Sequence, residues 1–445
     1  MTLSTDTLLQ KLAALSENAA PPKRYVVAFS GGLDSTVLLH ALAASAGQHG
    51  IPVVAAHVDH GLQQDSAKWR AHCESIAEAA GVDFHSERVS VDDAAGLGPE
   101  AAARAARYRA LASVLQSDDW LLSAHHQDDQ AETLLLNLLR GSGPAGLAGI
   151  GEIRPFAKGW LARPMLSFAR SELQDYAEAN GLTWIEDPSN ADRRFDRNFL
   201  RHEILPNLES RWPEAAKRLQ RSSRIAGDAA ALMDDLAAID AKSIATHNDR
   251  LRVDALRALP IARQRNVLRY AIRQLELPTP SAVHVQQVLD EVVAAREDAE
   301  PVVRWSGVEI RRYRNHLHLL VVDHSDAPAD VAVAAGCERL ELGHGLGILR
   351  FEPGAAEGLA SELVAGGLAL RYRHGGEKFR PLGQSHTKKL KKLLQEAGVV
   401  PWMRDRIPLL FAGDELVAVA DLWLAADAVS KPGVAIRWEN GPPIH

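Results

Sequence analysis

The first 140 residues alternate short β-branched runs with stretches of helical periodicity. The runs are Tyr25–Phe29, Pro52–Val58, Val82–Val89 and Trp120–Ala124, and the helical stretches are Thr36–Ala46, Ser66–Ala80, Glu100–Gln116 and Gln127–Arg140. This alternation predicts an α/β fold with a doubly wound parallel sheet. In such a sheet the ligand lies beyond the carboxyl ends of the strands, where Ser30, His57 and Ala124–His125 fall.

A different pattern follows Gly141. The Gly- and Pro-rich stretch GSGPAGLAGIG leads into a mixed segment that ends near Trp212. The chain then shows Ala-rich helical periodicity over 213–277 and 281–296, strand-like runs at Val302–Ile310 and His316–Val322, a linker at Asp323–Asp330, and finally short β-like runs around one basic helix. We therefore expect three domains: an α/β domain over 1–212, a helical domain over 213–330 and a small α+β domain over 335–445.

Composition limits the classes of function. The 445 residues carry a formal net charge of -7, which argues against binding polyanions over the whole surface but leaves room for a local basic patch. Cys73 and Cys337 stand far apart without a CxxC partner, so we expect neither a disulfide framework nor a cysteine-bound metal. The chain shows no basic leader with an apolar core and no uncharged stretch of membrane-spanning length, so we expect a cytoplasmic protein.

The sequence SGGLDS, Ser30 to Ser35, joins the first predicted strand to the first helix. Gly31 and Gly32 permit a close backbone approach, so the amides of this turn can point at anionic oxygens beside a helix N-terminus. The lysine of a Walker A loop is missing, and a carboxylate such as Asp34 beside phosphates implies a divalent cation between them. The pattern predicts a phosphate-binding loop with Mg²⁺ near Asp34; the alternative is an ordinary Gly-rich turn.

Charged residues cluster on two further predicted helices. Arg104 and Arg107 are three residues apart, so they share a helix face and either bind a phosphate or form a solvated basic stripe. The string HHQDDQAET begins at His125, where a strand ends, and its Asp129 and Glu132 face the same way. The helix dipole favours acidic residues in a first turn but does not account for the paired histidines. Oxygen ligands here suit Mg²⁺ better than a transition metal.

A third cluster, WIEDPSNADRRFDRNFLRHEILP, extends from Trp184 to Pro206. Its DPSN sequence is typical of a turn or N-cap, and Arg197, Asn198 and Arg201 follow just before an apolar helix face. On spacing alone this cluster is either ordinary surface or part of a binding site.

Three strings together, SGGLDS, HHQDDQAETLLLNLLRGSGPAGL and W-x-E-D-x-S-N … R-N-x-x-R-x-x-x-x-P, closely resemble those of the bacterial tRNA(Ile)-lysidine synthases, a family of PP-loop ATP pyrophosphatases. The strings HVDHGL, ARAARY and ARPML agree, and the similarity becomes sharp again in KKLKKLLQEAGVVPWMRDRIPLLF. One position departs from the pattern: many relatives carry Arg directly after HxxHGL, where this chain has Gln63. The resemblance implies a PP-loop, Rossmann-like catalytic domain followed by two C-terminal domains.

The resemblance also implies a two-step reaction on the wobble cytidine in the CAU anticodon of isoleucine tRNA. ATP adenylates the carbonyl at position 2 of cytosine, and the ε-amine of free lysine then displaces AMP to give lysidine. The residues implied to bind ATP are Ser30, Gly31, Gly32, Leu33, Asp34, Ser35 and His57. Those implied in catalysis are Asp34, Asp129, Glu132, Arg104 and Arg107, and those implied in binding lysine or tRNA are Asp129, Glu132, Arg197, Asn198 and Arg201. The base that deprotonates lysine, a carboxylate or His125, is left open, and so is a homodimeric assembly.

Positive charge concentrates near the C-terminus of this acidic chain. The basic residues Arg371, Arg373, Lys378, Arg380, Lys388, Lys389, Lys391 and Lys392 face only Glu377 within their window, and Trp402 and Arg404 follow. Such a run is either a solvated helix face or a tRNA contact, and we favour tRNA contact through Lys388, Lys389, Lys391 and Lys392. Two other functions stay open: a PP-loop thiolase acting on tRNA, for which the cysteines are unsuited, and a non-catalytic tRNA-binding protein.

Overall fold

A computed structural model describes residues 2–59, 66–90, 99–247, 249–296, 299–321 and 329–444. The chain divides into two compact units, Met1–Met233 and Asp234–His445. Gln63, residue 322 of the predicted strand and residues 323–328 of the predicted linker lie outside the described residues. The finer division into three domains stays a prediction.

The first unit is built around one six-stranded sheet. Its strands are β1 Tyr25–Ala28, β2 Val53–Asp59, β3 Asp83–Arg88, β4 Trp120–Leu122, β5 Ile153–Phe156 and β6 Gly159–Ala162, in the spatial order β3-β2-β1-β4-β6-β5. All neighbouring pairs are parallel except β5 with β6. This confirms the predicted parallel sheet, and the β5–β6 hairpin adds an edge that the mixed pattern after Gly141 did not predict.

Helices cover both faces of this sheet. They are α1 Thr5–Ser16, α2 Leu33–Ala44, α3 Ala46–His49, α4 Ser66–Ala79, α5 Pro99–Val114, α6 Gln127–Leu139, α7 Pro144–Leu147 and α8 Arg170–Ala179. Alternate residues of β1 enter different cores: Val27 packs with Leu8, Leu12 and Leu38 on one face, and Val26 packs with Leu111 on the other. Because successive residues of a strand point to opposite faces and both faces are covered, nearly every residue of a strand such as β1 is apolar.

The order of the central strands fixes where a ligand can bind. Strands β1 and β4 are neighbours in the sheet, in the register Tyr25↔Trp120 to Val27↔Leu122. Along the chain, β2 and β3 lie between them. Adjacent parallel strands whose connections leave in opposite directions open a crevice at their carboxyl ends. The segments at that edge are Ser30–Ser35, which leads into α2, and Ser123–His126, which leads into α6.

The end of the first unit is an irregular helix. A 3₁₀ turn at Pro188–Ala191 precedes α9 Asp196–Phe199, a π-helical segment Leu200–Ile204 and α10 Leu205–Arg211. Pro206 lacks the N–H that an α-helix would direct at the carbonyl four residues earlier, which accounts for the wider turn just before it. The long helix α11 Ala215–Ile244 follows and contains the boundary between the units.

The second unit begins with helices packed on an antiparallel sheet. The helices are α12 Val253–Ala258, α13 Ile261–Gln274, α14 Ala282–Gln287 and the π-helical Val288–Val293; the strands, in the order β7-β8-β11-β10-β9, are β7 Ala245–His247, β8 Arg250–Arg252, β9 Val302–Trp305, β10 Val308–Tyr313 and β11 His316–Val321. The predicted helical run over 213–277 is therefore interrupted by β7 and β8. The predicted strand Val302–Ile310 is two strands, because Ser306 and Gly307 turn with positive φ between them.

The remaining chain forms small sheets with few helices. The strands are β12 Val331–Val333, β13 Arg339–Glu341, β14 Ile348–Ala355, β15 Gly358–Leu359, β16 Leu368–Arg371, β17 Lys378–Phe379, β18 Lys388–Lys389, β19 Leu409–Ala412, β20 Glu415–Val419, β21 Trp423–Leu424, β22 Val429–Ser430 and β23 Gly433–Glu439; the helices are α15 Ser361–Ala365, α16 Leu390–Glu396 and the 3₁₀ turn Pro401–Met403. This region is α+β, as predicted. Across the described residues, none of the helices combines the length and apolarity needed to span a membrane.

Candidate active site

The Ser30–Ser35 loop is held from outside by two hydrogen bonds to its carbonyls. The indole N–H of Trp69 donates to the Ser30 carbonyl over 2.9 Å, and the backbone N–H of Ile185 donates to the Gly31 carbonyl over 2.9 Å. Gly31 has φ +79, and a Cβ there would lie 2.6 Å from Cys73 Sγ. With both carbonyls held from outside and no side chain at Gly31, the loop leaves room for an anion beside the first turn of α2.

Side chains inside the loop complete its shape. Ser35 Oγ accepts from the Ser30 N–H at 3.2 Å and donates to the Gly32 carbonyl at 3.1 Å. Leu33 is buried in the core, so only its backbone amide is available to a ligand. That amide and those of Asp34 and Ser35 lie in the first turn of α2, where an α-helix provides no acceptor for its N–H groups.

His57 supports the loop rather than facing outward from it. It is 7% exposed, its Nδ1–H donates to the Phe29 carbonyl at 3.0 Å, and its ring stacks on Phe84. Burial lowers the pKa of His57, so the imidazole is neutral near pH 7. The predicted contact of His57 with ATP therefore remains a prediction, while its hydrogen bond fixes the end of β1.

A histidine surrounded by three carboxylates stands at the start of α6. His126 is fully buried, and its ring nitrogens lie 3.5 Å from Asp129 Oδ2 and 3.6 Å from both Asp34 Oδ2 and Asp128 Oδ2. Burial alone would lower the pKa of His126, but the three carboxylates outweigh it and raise the pKa to about 10. The residue is an imidazolium at neutral pH, and it joins the Gly-rich loop to the acidic helix electrostatically.

Asp129 is held in its ionised form. Its Oδ2 accepts the His126 backbone N–H at 3.0 Å, and its Oδ1 accepts from Arg201 Nη2 at 3.0 Å. Burial would raise the pKa of Asp129, but the neighbouring histidine and arginine charges lower it to about 2. Its side chain is 14% exposed, so one edge of the carboxylate remains open to a ligand.

Glu132 lies one turn further along α6 and has no exposure at all. Arg197 Nε donates to Oε2 at 2.8 Å, and Arg201 Nε donates to Oε1 at 2.6 Å. Arg201 therefore bridges Glu132 and Asp129, which shows that the two carboxylates do face the same way. Both oxygens of Glu132 accept from arginines, so in this arrangement Glu132 orients Arg197 and Arg201. Direct binding of lysine by Glu132 stays a prediction.

The third predicted cluster, Trp184 to Pro206, lies beside the acidic helix, and its predicted site residues make different kinds of contact. Arg197 and Arg201 reach the acidic helix, as described. Asn198 instead donates to the Asp192 carbonyl at 2.9 Å and closes the loop before α9, so the contacts of Asn198 serve local structure.

Arginines gather on the other side of His125. Arg104 is exposed and Arg107 half-buried, with guanidinium carbons 5.1 and 5.8 Å from the Tyr108 ring centre. Burial lowers the pKa of Arg107, and the charges of Arg104 and Arg197 lower it further. Among the described residues, neither Arg104 nor Arg107 has a carboxylate within ion-pair distance, so this side of the site carries positive charge that is free to meet an anion.

Two further residues lie in this region: Arg163, which was not selected from the sequence, and His125, one of the candidates for the base. Arg163, in the string ARPML, is 6% exposed and donates to the Gly151 carbonyl at 2.6 Å, while its Nε has no partner in the described part of the chain. His125 hydrogen-bonds to Ser123 Oγ, and burial lowers its pKa to about 4, so it is neutral near pH 7. Arg163 directly follows β6, and the last residue of that strand, Ala162, accepts a hydrogen bond from the Ser123 N–H. Nothing in the sequence ARPML indicates that its arginine is buried.

In the second unit, the basic residues from Arg371 to Lys392, here called the basic window, belong to several elements. More of them are paired with carboxylates than the sequence suggests. Arg371, Arg373 and Arg380 pair with Asp414, Asp405 and Asp427, which lie outside the window. Only Lys391 and Lys392 belong to α16, since Lys388 and Lys389 form β18. The prediction of one basic helix opposed only by Glu377 is therefore wrong, because partners distant in sequence fold beside it.

The five lysines of this window differ in their partners. Lys388 and Lys392 share Glu396, at 3.0 and 3.9 Å. Lys378, Lys389 and Lys391 are exposed and have no carboxylate partner within the described chain. Of the lysines proposed to contact tRNA, Lys389 and Lys391 are therefore the ones whose charge is not shared with a carboxylate.

Trp402 and Arg404 face the interior of the second unit rather than solvent. The Trp402 ring centre is 5.0 Å from that of His318, and the guanidinium of Arg311 lies 5.4 Å above it. Arg404 Nη2 donates to the Tyr313 hydroxyl at 3.1 Å. These contacts pack the segment after α16 on β10 and β11, so Trp402 and Arg404 give no support to a tRNA contact.

The strand order, the Gly-rich loop at the start of α2 and the acidic helix beside it define a PP-loop nucleotide-binding enzyme, and the PP-loop domain family matches residues 4–208. The TilS substrate binding domain matches residues 251–318, and the TilS substrate C-terminal domain matches residues 368–438. The chain belongs to the tRNA(Ile)-lysidine synthase family, which confirms the resemblance seen in its motifs.

Individual relatives support this membership over the full length. The chain is 42% identical to the tRNA(Ile)-lysidine synthase of Alkalilimnicola ehrlichii, covering 99% of this chain and 98% of that one. It is 39% identical to that of Xanthomonas campestris pv. campestris, covering 96% and 98%, and 40% identical to that of Methylococcus capsulatus, covering 94% and 97%. The chain is therefore an ATP-using enzyme of the ligase class, and neither a thiolase nor a non-catalytic binding protein is favoured.

Proposed function

We propose that this enzyme ligates free lysine to position 2 of the wobble cytidine in the CAU anticodon of isoleucine tRNA, forming lysidine through an adenylated tRNA intermediate. The observation that carries the proposal is the junction of two sites at one sheet edge: an anion-binding loop meets a buried carboxylate–arginine cluster through His126. A cytoplasmic location follows from the tRNA substrate and is part of the proposal.

ATP would occupy the Ser30–Ser35 loop, with its phosphates on the amides of the first turn of α2. The donor atoms fit Mg²⁺ carried in by ATP, because Asp34 Oδ1 is buried and has no hydrogen-bond partner in the described chain. No group of three or more metal-ligating side chains occurs among the described residues, so ATP and water would supply the remaining ligands. The cation would shield the departing diphosphate, and Arg104 and Arg107, unpaired in the described chain, would stabilise the charge that develops as it leaves.

Lysine would enter beside the acidic helix, where Asp129 is the carboxylate with an open edge. Asp129 would hold an amine of lysine, while Glu132 keeps Arg197 and Arg201 in place around it. The attacking ε-amine must lose a proton. We favour His125 as the acceptor, because its imidazole is neutral and its pKa of about 4 lies above the pKa of about 2 of Asp129, which makes Asp129 the weaker base.

The direct test is mass analysis of nucleosides from unmodified CAU-anticodon isoleucine tRNA incubated with the protein, ATP and lysine. We expect a cytidine derivative that carries lysine and depends on all three substrates. Absence of this nucleoside with active, folded protein would refute the proposed reaction. Light scattering on the same sample would decide whether the enzyme is a homodimer.

Asp34→Ala separates the two steps. Loss of the carboxylate should abolish adenylation, since a single preorganised group supplies roughly 3 to 4 kcal/mol of transition-state stabilisation. Affinity for tRNA should change little, because Asp34 faces the nucleotide loop. An Asp34→Ala enzyme that adenylates tRNA at the wild-type rate would exclude this role.

A further inference from the structure

Two large aromatic side chains are exposed at the two ends of α9, the short helix that contains Arg197. Phe195 is 46% exposed and Phe199 is 45% exposed. The Phe199 N–H donates to the Phe195 carbonyl at 3.0 Å, so the two residues are one turn apart and lie on the same side of α9. We call Phe195 and Phe199 the aromatic pair.

The aromatic pair and the arginines alternate along the chain. Arg197 and Arg201 are also four residues apart and are offset from the aromatic pair by two positions. They point at Glu132, as their hydrogen bonds of 2.8 and 2.6 Å show, while both rings are about half exposed. The aromatic pair is therefore presented to solvent next to the arginines that reach the acidic helix.

Folding gives no reason for these rings to be exposed. Neither Phe195 nor Phe199 belongs to a hydrophobic core of the first unit. The loop before them is tied in place by Asn198, so the rings stand on fixed backbone. Exposed aromatic side chains on a rigid element beside an active site are typical of binding surfaces.

We propose that the aromatic pair is a stacking platform for the unpaired anticodon-loop bases that adjoin the target cytidine. This inference rests on the proposed function. The target base must leave its stack for its carbonyl to reach ATP, and that removes stacking from its neighbours. Splayed bases of single-stranded RNA loops are characteristically taken up on aromatic faces.

The charge around the aromatic pair favours RNA over a protein partner. Arg193 and Arg194 directly precede Phe195 and are 65% and 88% exposed. Their pairs with Glu203 and Asp192 are surface ion pairs, which contribute little and can exchange for phosphate contacts. Apolar rings flanked by exposed guanidinium groups are the combination that single-stranded nucleic acid binding uses.

The test compares variants of the pair in binding an anticodon stem-loop with the CAU sequence. Phe195→Leu/Phe199→Leu keeps apolar area but removes the π-faces, and Phe195→Tyr/Phe199→Tyr keeps stacking. We expect the Leu pair to bind between roughly 5-fold and 150-fold more weakly per stacked base, and the Tyr pair to bind within a few-fold of wild type. Val283→Ala, at a residue that is 66% exposed in the second unit, serves as the control and should bind normally.

Two further readouts separate stacking from other roles. The slope of log Kd against log salt should be the same for the Leu pair and wild type, because stacking releases no counterions. The KM for lysine should also stay unchanged, which would show that Arg197 and Arg201 are still in place.

Unchanged stem-loop affinity in the Leu pair would overturn the inference, as would a changed oligomeric state with normal RNA binding, which would identify the pair as a protein interface. The proposed function would stand in both cases if wild type still forms lysidine.

Discussion

Glu132→Gln tests whether this buried carboxylate organises the site or binds substrate. The change is nearly isosteric but removes the charge that holds two arginines. The glutamine oxygen can still accept from one guanidinium, while its NH₂ group faces the N–H groups of the other. One arginine therefore loses its acceptor in a position where Glu132 is fully buried.

The exposure of the two arginines limits how much stability the Glu132→Gln change can remove. Breaking a buried ion pair by removing one partner costs about 3 to 5 kcal/mol. Arg197 and Arg201 are 32% and 23% exposed, so water partly solvates both, and Arg201 keeps Asp129 as an ion-pair partner while Arg197 keeps Thr133 Oγ1 as an acceptor. We therefore expect the free energy of unfolding of the first unit to fall by about 3 kcal/mol, the lower end of that range.

The assay is urea unfolding of the full chain, with amide hydrogen exchange to locate the loss. Exchange is needed because a chain with two compact units need not unfold in one transition. Amides of α6 and α9 should lose protection together. Glu203→Gln is the matched control: Glu203 pairs with Arg193 at the surface, so we expect a change of less than about 1 kcal/mol.

A double-mutant cycle with Arg201→Met adds a direct measure of the pair. Residues in one ion-pair network typically show coupling energies of about 0.5 to 3 kcal/mol. If Glu132→Gln leaves stability and exchange unchanged but raises the KM for lysine, the reasoning is refuted and Glu132 contacts lysine after all.

Three further predictions follow from charge. The pKa of His126 is raised from 6.5 to about 10, so its stabilising contribution is complete below pH 6.5 and lost as pH rises through 10; His126→Asn should remove that slope from unfolding free energies measured between pH 7 and 10, and identical slopes would contradict the assignment. Lys389→Ala/Lys391→Ala should flatten the salt dependence of tRNA binding by about two in log–log slope, more than the same change at the two lysines that share a glutamate, and equal slopes would favour a solvated face. Arg24→Met should destabilise the fold by about 3 kcal/mol, because it leaves the buried Asp119 without its ion-pair partner; an unchanged denaturation midpoint would contradict this.

The parts of the fold that the sequence predicts well are those set by local pattern. The four parallel strands and the helices between them carry strong periodicity, and their order along the chain places the two ligand-facing segments at one sheet edge. The Gly-rich loop is recognisable in the sequence because its backbone conformation requires glycine. Gly31 has a positive φ and lies next to Cys73, and few other residues could take its place. The interruption at β7 and β8 was missed because three-residue strands are too short for a period to show.

Charge partners are less predictable, because they depend on residues distant along the chain. The lysines and arginines of the C-terminal window appear unopposed in sequence, yet Asp405, Asp414 and Asp427 fold back beside them. Trp402 has the composition of a nucleic-acid contact but packs on His318. A local count of charge or aromatic residues therefore overestimates the surface that is free for tRNA.

The acidic helix shows the same limit at the active site itself. Asp129 and Glu132 have the same chemistry, the same helix face and similar positions in the motif, so nothing local separates a ligand from a support. What separates them is depth: Asp129 keeps an exposed edge, whereas Glu132 is enclosed and has an arginine on each oxygen. A buried carboxylate is tolerated only when it is paired, so the full burial of Glu132 favours a role in fixing the arginines over contact with a substrate. Sequence patterns can identify such a cluster, but only the packing assigns its members to different tasks.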